Sequence, residues 1–396
     1  MRKNITKKTD TVGKKDTVGK KDTAGKTDTA ANTANTAADT AGAGAGVAGV
    51  TIGMDMGDRA HKAVVLGADG REVERREVAN TEAGVAAFLG RHPGATLAIE
   101  TGTHCRWTGA LAAALGLRVL VANARKVEAI WKSSNKNDWR DAEMLAKIAR
   151  TDKSLLHPVR LRGAGDQRLM RLAKSRDLLV RFRTATVNQV RGFCKSEGAR
   201  LKKCSAESFA RLKGDLPAEV ADVACHLFEV LGKLNETIRA YDGILREAVL
   251  RLRKEDAEAV MQIPGVGPVT TAVFLAAIGD AKDFGKPRDA GPFLGLAPRR
   301  GQSGESDPQL RVTKEGNGMA RRALVTAANY IMGPFGKDCD LRRHGERIAA
   351  RGGKNARKRA KVAVARRLAV TMLALARNRT EYRPLMGEPA EAEATQ

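Results

Sequence analysis

The stretch VTIGMDMGDRAHKAVVLGADGREVERREV, Val50 to Val78, decides the fold of the first half of the chain. VTIGMDMG alternates apolar residues and predicts a strand. HKAVVL predicts a second strand, and REVERREV, beyond the turn Asp69-Gly70, a third. Three short strands in succession make a meander. Outward from it, TEAGVAAFLGRH predicts a helix, ATLAIET a strand, TGALAAALGL a helix, RVLVAN a strand and DWRDAEMLAKIAR a helix. The order β-β-β-α-β-α-β-α predicts an α/β domain over residues 47–158, a mixed sheet with helices on its faces.

The remaining texture is different. Residues 1–46 repeat KKTDTVG, KKDTVG and KKDTAG and then run into Ala, Thr and Gly, which predicts a disordered tail. Residues 159–256 are predicted helical. There Leu227, Leu231, Leu234, Ile238, Tyr241, Leu245, Ala248 and Leu252 alternate spacings of four and three, a heptad seam. It suits either an antiparallel helical hairpin or an oligomerising coiled coil, with Pro217 as the break between arms. Residues 257–383 predict a mainly helical C-terminal domain. It opens on the turn Ile263-Pro264-Gly265-Val266-Gly267-Pro268 and an apolar helix, and continues through a Gly-rich loop to MARRALVTAANYIM and a basic helix from Asn355 to Asn378. Residues 384–396 are predicted disordered. The fold class expected is therefore α/β plus all-α.

The chain has 396 residues and a formal net charge of +25, with an isoelectric point near 10.2. That balance asks for a polyanionic partner, and nucleic acid is the first candidate because Lys and Arg release counterions from phosphates. No apolar run approaches the roughly 20 residues of a spanning helix, so a membrane partner is not expected. The five cysteines form no CxxC pair and are odd in number, which argues against a disulfide framework or a structural zinc. No signal pattern opens the chain, and a reducing cytoplasm is the expected compartment.

Four carboxylates fall where such a sheet brings residues together. Asp55 lies in the first strand, and Glu100 closes TLAIE on the face opposite Leu97 and Ile99. Asp138 and Asp141 are three apart on a helix and share a face about 5–6 Å apart. Hard divalent cations take oxygen ligands, and Mg²⁺ binds through carboxylates plus substrate phosphate. Two such ions activate a nucleophile and stabilise the leaving oxygen of a phosphodiester. Read singly, the DxxD pair is a solvated helix face and Asp55 a turn residue. Together, in a chain this basic, the four point to a metal site.

In the C-terminal domain the Gly265–Gly267 turn reads as helix-hairpin-helix-like, with amides at the following helix start able to hold a phosphate. A tight structural turn is the plain alternative. Ser303 lies between Gly301 and Gly304, behind Arg299 and Arg300, with Ser306 as a rival. A loop serine of this kind is ordinarily only loop. Lys314, Arg321 and Arg322 are candidates for phosphoryl charge or, equally, solvent-facing charge. In the last helix Val364, Leu368, Met372 and Leu375 form an apolar stripe, and Arg357, Lys358, Arg359, Lys361, Arg366 and Arg367 cover the rest.

These motifs together carry a resemblance. GMDMG, AIETG and KNDWRDAEMLA, followed by IPGVGPVTTAVFLAAIGD, GLAPRRGQSG and TKEGNGMARRAL, resemble the DEDD transposases of insertion sequences, the family that includes the Piv invertase. The likeness runs over residues 50–380 and excludes the repeat tail. It implies a RuvC-like ribonuclease H fold for the first domain and Mg²⁺ bound by Asp55, Glu100, Asp138 and Asp141. It also implies a serine nucleophile at Ser303 forming a transient phosphoserine link to DNA, a guide RNA from the element's noncoding end, and dimers assembling into tetramers with a site composed from both domains. The alternatives are a hydrolytic structure-specific endonuclease that does not need Ser303, a nonenzymatic nucleic-acid-binding protein, and a sugar kinase or actin-like ATPase. The last is disfavoured by the charge and by the lack of a second phosphate loop.

Overall fold

A computed structural model describes residues 49–124, 126–127, 137–306, 308 and 310–385. The predicted tail of residues 1–46 and most of the C-terminal one lie outside these. The chain divides into two units, residues 1–161 and 162–396.

The first unit is built on a five-stranded sheet of order β3-β2-β1-β4-β5. The strands are β1 (Thr51–Met56), β2 (Ala60–Leu66), β3 (Glu72–Ala79), β4 (Thr96–Glu100) and β5 (Arg118–Ala122). The meander pairs antiparallel, and β4 and β5 add in parallel beside β1. Parallel addition needs crossovers, supplied by α1 (Glu82–Leu89) and α2 (Cys105–Ala114). Strand alternation sorts the two faces. Ile52, Met54, Ala63, Val65, Leu97 and Ile99 form one core with Val85, Phe88 and Leu89 of α1 and Ala112 of α2. On the opposite face Val64, Leu66, Ala98 and Ala122 meet Ala142, Leu145, Ala146 and Ala149 of α3 (Asp138–Thr151). The edge strand β3 is mostly charged and exposed, which blunts edge-to-edge pairing.

The contact between β1 and α3 is close enough to require a particular residue. A Cβ placed on Gly53 would lie 1.9 Å from the Ala142 carbonyl oxygen and 2.6 Å from the Ala146 nitrogen. The helix also has a defined direction. Arg150, in its last turn, donates to the carbonyl oxygens of Gly67 at 3.1 Å and Gly49 at 3.4 Å, both just outside the paired end of β1 where Thr51 meets Leu66. The first turn of α3 therefore lies toward the other end of β1, where Asp55 is.

In the second unit α4 (Ala164–Ser196) and α5 (Ala218–Leu252) form an antiparallel hairpin. Pro217 sits at the N-cap of α5, as its inability to continue a helix predicts. Leu231, Ile238, Leu245 and Ala248 of the heptad seam are buried within the chain; Leu227, Leu234 and Tyr241 are half-buried, and Leu252 is exposed. Midway, Arg183 donates to Asn235 Oδ1 at 2.9 Å, and Asn235 Nδ2 donates to the Glu207 carbonyl at 3.1 Å. The base of the hairpin is not a body of its own. Leu169, Met170, Leu245 and Val249 share one core with α6 (Lys254–Met261), α7 (Pro268–Ile278), α8 (Gly318–Ile331) and α10 (Ala356–Asn378). The unit also contains α9 (Asp340–Ala350). Every α7 residue from Thr271 to Ile278 is buried, so α7 is the central helix, apolar all round.

Arg253, between α5 and α6, holds this base together. Nη1 donates to Asp166 Oδ1 of α4, Nε to Asp256 Oδ2 of α6 and Nη2 to the Gly279 carbonyl after α7, each at 2.9 Å. Burial pushes the Asp166 carboxyl above the usual carboxylate range despite the two nearby arginines. Arg253→Met removes the closest cation from two mostly buried acids, Asp166 and Asp256, leaving Asp256 only Arg379 at 3.7 Å, and should cost about 3 kcal/mol in chemical denaturation; a change within about 0.5 kcal/mol, typical of surface positions, would contradict this role. Gly53→Ala should prevent the first unit from folding natively, because the clash is with backbone and not with a side chain that can turn away. A Gly53→Ala protein with wild-type circular dichroism and melting would show that α3 does not pack as described.

Candidate functional site

The β1–β4 pairing runs as far as Met54 opposite Ile99. Asp55 and Glu100 are the next residues on the two adjacent parallel strands. By alternation Asp55 shares the Gly53 face and Glu100 the Ala98 face, the side covered by α3. Asp138 is the first residue of α3 and Asp141 lies one turn later. Asn137 caps the helix, its side-chain oxygen accepting from the Trp139 amide at 3.0 Å. The positive end of the helix dipole favours acids there. The four carboxylates that the sequence singles out thus belong to three elements that come together at one end of the central strands β1 and β4. Asp55, Glu100 and Asp141 are half-buried and Asp138 is exposed. Among the described residues, no three His, Cys, Asp or Glu side chains are gathered as a ready metal cage. The donor chemistry nonetheless suits a hard cation: four carboxylates and no sulfur.

Two neighbouring features escape a reading of the sequence. The first is a surface cavity of about 410 Å³ beside the start of α3, lined by Arg75, Asn137, Trp139, Arg140, Glu143 and Lys147 among others. The Trp139 ring has Lys62 Nζ 5.0 Å and the Arg75 guanidinium 5.7 Å from its centroid. Both cations are already paired with acids, Lys62 with Glu77 and Arg75 with Glu72 and Glu143. The second ties together the loops that follow Asp55 and Glu100. Asn80 Nδ2 donates to the carbonyl oxygens of Gly57 at 3.1 Å and Asp58 at 2.9 Å, and His104 Nε2 lies 3.1 Å from Asp58 Oδ1. Beneath them His61 is fully buried, 6.2 Å from the His104 ring; burial first, then His104, holds its pKa below the ordinary value.

In the second unit the Gly-rich segment is a paired arm and not an open loop. Arg299 N donates to Arg311 O and Thr313 N to Ala297 O, both at 2.9 Å, and Pro298 bridges Val312. At the far end Ser303 N donates to Ser306 O at 3.0 Å and Ser306 N to Ser303 O at 3.1 Å. The two rival serines are therefore one cross-strand pair around Gly304-Glu305, with Gly304 at φ +56°, and their side chains leave the same side of the turn. Both are exposed, as are Arg299, Arg300 and Lys314. The base of the arm is clamped: a Cβ on Gly295 would lie 2.1 Å from Glu315 O. Arg321 belongs to this clamp, donating to Leu294 O at 2.9 Å and Glu315 O at 2.6 Å. Arg322 pairs with Asp177 of α4 at 2.9 Å.

Gly265 and Gly267 lie in the tight turn between α6 and α7. Gly265 has φ +88° and rests against the Tyr330 ring, where a Cβ would lie 2.5 Å from Cδ1. Gly267 is the exposed N-cap of α7, with open space where a Cβ would stand.

Comparison with known proteins agrees with both halves. Residues 52–196 match the IS110-type DEDD family described as transposase, and residues 257–338 match the transposase IS116/IS110/IS902 family. The transposase for insertion sequence element IS1111A of Coxiella burnetii is 32% identical over 206 residues, 50% of this chain and 56% of that protein. The transposase for insertion sequence element IS1328 of Yersinia enterocolitica is 27% identical over 285 residues, 71% of this chain and 83% of its own length. With the two conserved blocks in order along one polypeptide, the chain belongs to the IS110-type DEDD transposases of insertion sequences, a family of enzymes that act on DNA with divalent metal ions.

Proposed function

We propose that this chain is the transposase of an insertion sequence, and that it cuts and rejoins DNA with a serine nucleophile and Mg²⁺. In this reading the first unit is a RuvC-like ribonuclease H domain. Asp55, Glu100, Asp138 and Asp141 hold one or two ions. The observation that carries it is the β1–β4 register, which leaves Asp55 and Glu100 side by side where the first turn of α3 begins. A divalent ion there would polarise the phosphodiester and ease loss of a hydroxyl proton.

Ser303 is the nucleophile in this reading. Its Oγ attacks phosphorus, the bond from phosphorus to the DNA leaving oxygen breaks, and a phosphoserine diester forms. The serine proton passes to solvent, and the leaving oxygen takes up a proton as the DNA hydroxyl. Attack by a second DNA hydroxyl reverses the link and joins new partners. The exposed arm supports the assignment, since Gly301 and Gly304 flank the serine and Arg299 and Arg300 stand behind it. Arg299, Arg300 and Lys314 would meet phosphate charge, whereas Arg321 holds the base of the arm. The guide RNA and the dimer-to-tetramer assembly implied by the resemblance complete the reading. The exposed Arg357, Lys358, Arg359, Arg366 and Arg367 of α10 offer a basic surface for nucleic acid.

Asp138→Asn and Asp141→Asn should each lower cutting of element-end DNA in Mg²⁺ by about a hundredfold or more, while binding of the same DNA persists. Wild-type cutting by both variants would remove the metal assignment. A suicide substrate nicked near the crossover should trap a protein–DNA adduct that peptide mass spectrometry places on Ser303 and that Ser303→Ala loses. An adduct on Ser306 would transfer the role to its cross-strand partner. Free DNA ends without an adduct would favour the hydrolytic endonuclease.

A further inference from the structure

The loop between α8 and α9 is a built object. Arg342 of α9 donates through Nη1 to the carbonyl oxygens of Gly333 and Gly336, each at 2.8 Å, and of Ile331 at 3.3 Å. Its Nε is held by Glu346 at 2.9 Å. The Gly333 amide donates to Tyr330 O at 3.0 Å and the Gly336 amide to Gly333 O at 3.2 Å. A Cβ on Gly336 would lie 2.1 Å from Ile331 O, so the turn closes tightly only with glycine there. The tip of this fixed turn is Phe335, 80% exposed and the most exposed large hydrophobic side chain among the described residues.

A phenyl ring left in water forgoes the favourable free energy of burial. Here a rigid loop holds it there, which indicates a surface meant to cover it. The neighbours say which kind. Tyr330, 46% exposed in the last turn of α8, packs on Gly265, and Gly336 and Lys337 share a surface pocket with Pro264, so the loop that carries Phe335 borders the Pro264–Gly267 turn, which is open at Gly267. Lys337 follows and is exposed.

We propose that Phe335 is a wedge that inserts between adjacent base pairs of duplex DNA while the Pro264–Gly267 turn lies against the phosphates. This rests on the reading that the second unit grips DNA. Apolar side chains inserted at a base step unstack and kink the duplex, and an aromatic ring stacks on any base, which makes such contact tolerant of sequence. A loop backbone already held in place loses little freedom on binding. A polyanion also matches the +25 charge. A lone ring with one exposed tyrosine beside it is small against the roughly 800 Å² per partner of a stable protein interface.

The test uses the full chain and a plasmid relaxed by a type I topoisomerase in its presence, followed by removal of protein and analysis of linking number. Wild type should shift the topoisomer distribution in proportion to protein bound. Phe335→Ala should melt as wild type, bind duplex DNA about tenfold more weakly and leave the distribution unshifted, while Phe335→Trp should restore the shift. If wild type binds the plasmid without unwinding it, or if Phe335→Ala unwinds it equally well, the wedge is refuted while the DNA-gripping reading stands. A lower oligomeric mass for Phe335→Ala with DNA binding and unwinding intact assigns the ring to a protein contact and overturns the proposal. If wild type binds no plasmid at all, the DNA-gripping reading fails and the wedge falls with it.

Discussion

The approach of α3 to β1 at Gly53 is the contact on which the arrangement of acids depends. At that strand position the helix backbone takes the space a side chain would fill. The direction of α3 is then fixed from its far end, where Arg150 reaches carbonyls outside the paired strands. Neither contact involves an acid, yet together they turn the start of α3, with Asp138 and Asp141, toward the end of β1 that bears Asp55. The position of Glu100 follows from the parallel pairing of β4. Apolar packing and backbone geometry thus set the spacing of charges that would otherwise repel one another.

The second unit divides rigidity from display in a similar way. A half-buried arginine, Arg253, joins the ends of four helices, and α7 fills the middle with apolar side chains on every face. From this base project the arm that carries Ser303 and the turn that carries Phe335. Each is stiffened by an arginine bound to main-chain carbonyls, Arg321 for the arm and Arg342 for the turn. Loops on a rigid scaffold are where reactive and recognising groups are commonly held. The use of Arg321 also shows that basic character in a sequence does not identify a phosphate contact. The same guanidinium serves the fold when carbonyls lie within reach.

Elements with a strong period were legible in the sequence. Alternation marked β1, short segments bounded by turns marked the other strands, and the four-three spacing marked the α5 seam, whose Leu231, Ile238 and Leu245 are buried. The acids could be singled out because Asp55 and Glu100 interrupt apolar strands and Asp138 and Asp141 stand one turn apart. Long-range geometry was hidden. The Asn80, Asp58 and His104 network joins residues up to 46 positions apart, and no local pattern signals it. The arm around Ser303 reads as loop because its glycines and prolines mask a short ladder of main-chain bonds. The helix Asp340–Ala350 is short but strongly one-faced, with Leu341 and Gly345 buried one turn apart, so its pattern was present in the sequence. The role of Phe335 depends on exposure, which a sequence does not state.

The central claim is that the four carboxylates share divalent metal at the end of the central strands β1 and β4. It is tested most directly by a crystal structure of the full chain grown with Mn²⁺, located by anomalous scattering. One or two anomalous peaks bounded by oxygens of Asp55, Glu100, Asp138 and Asp141 are the expected result. An ordered first unit with these side chains in place and no peak among them, at a Mn²⁺ concentration that supports DNA cutting, would contradict it.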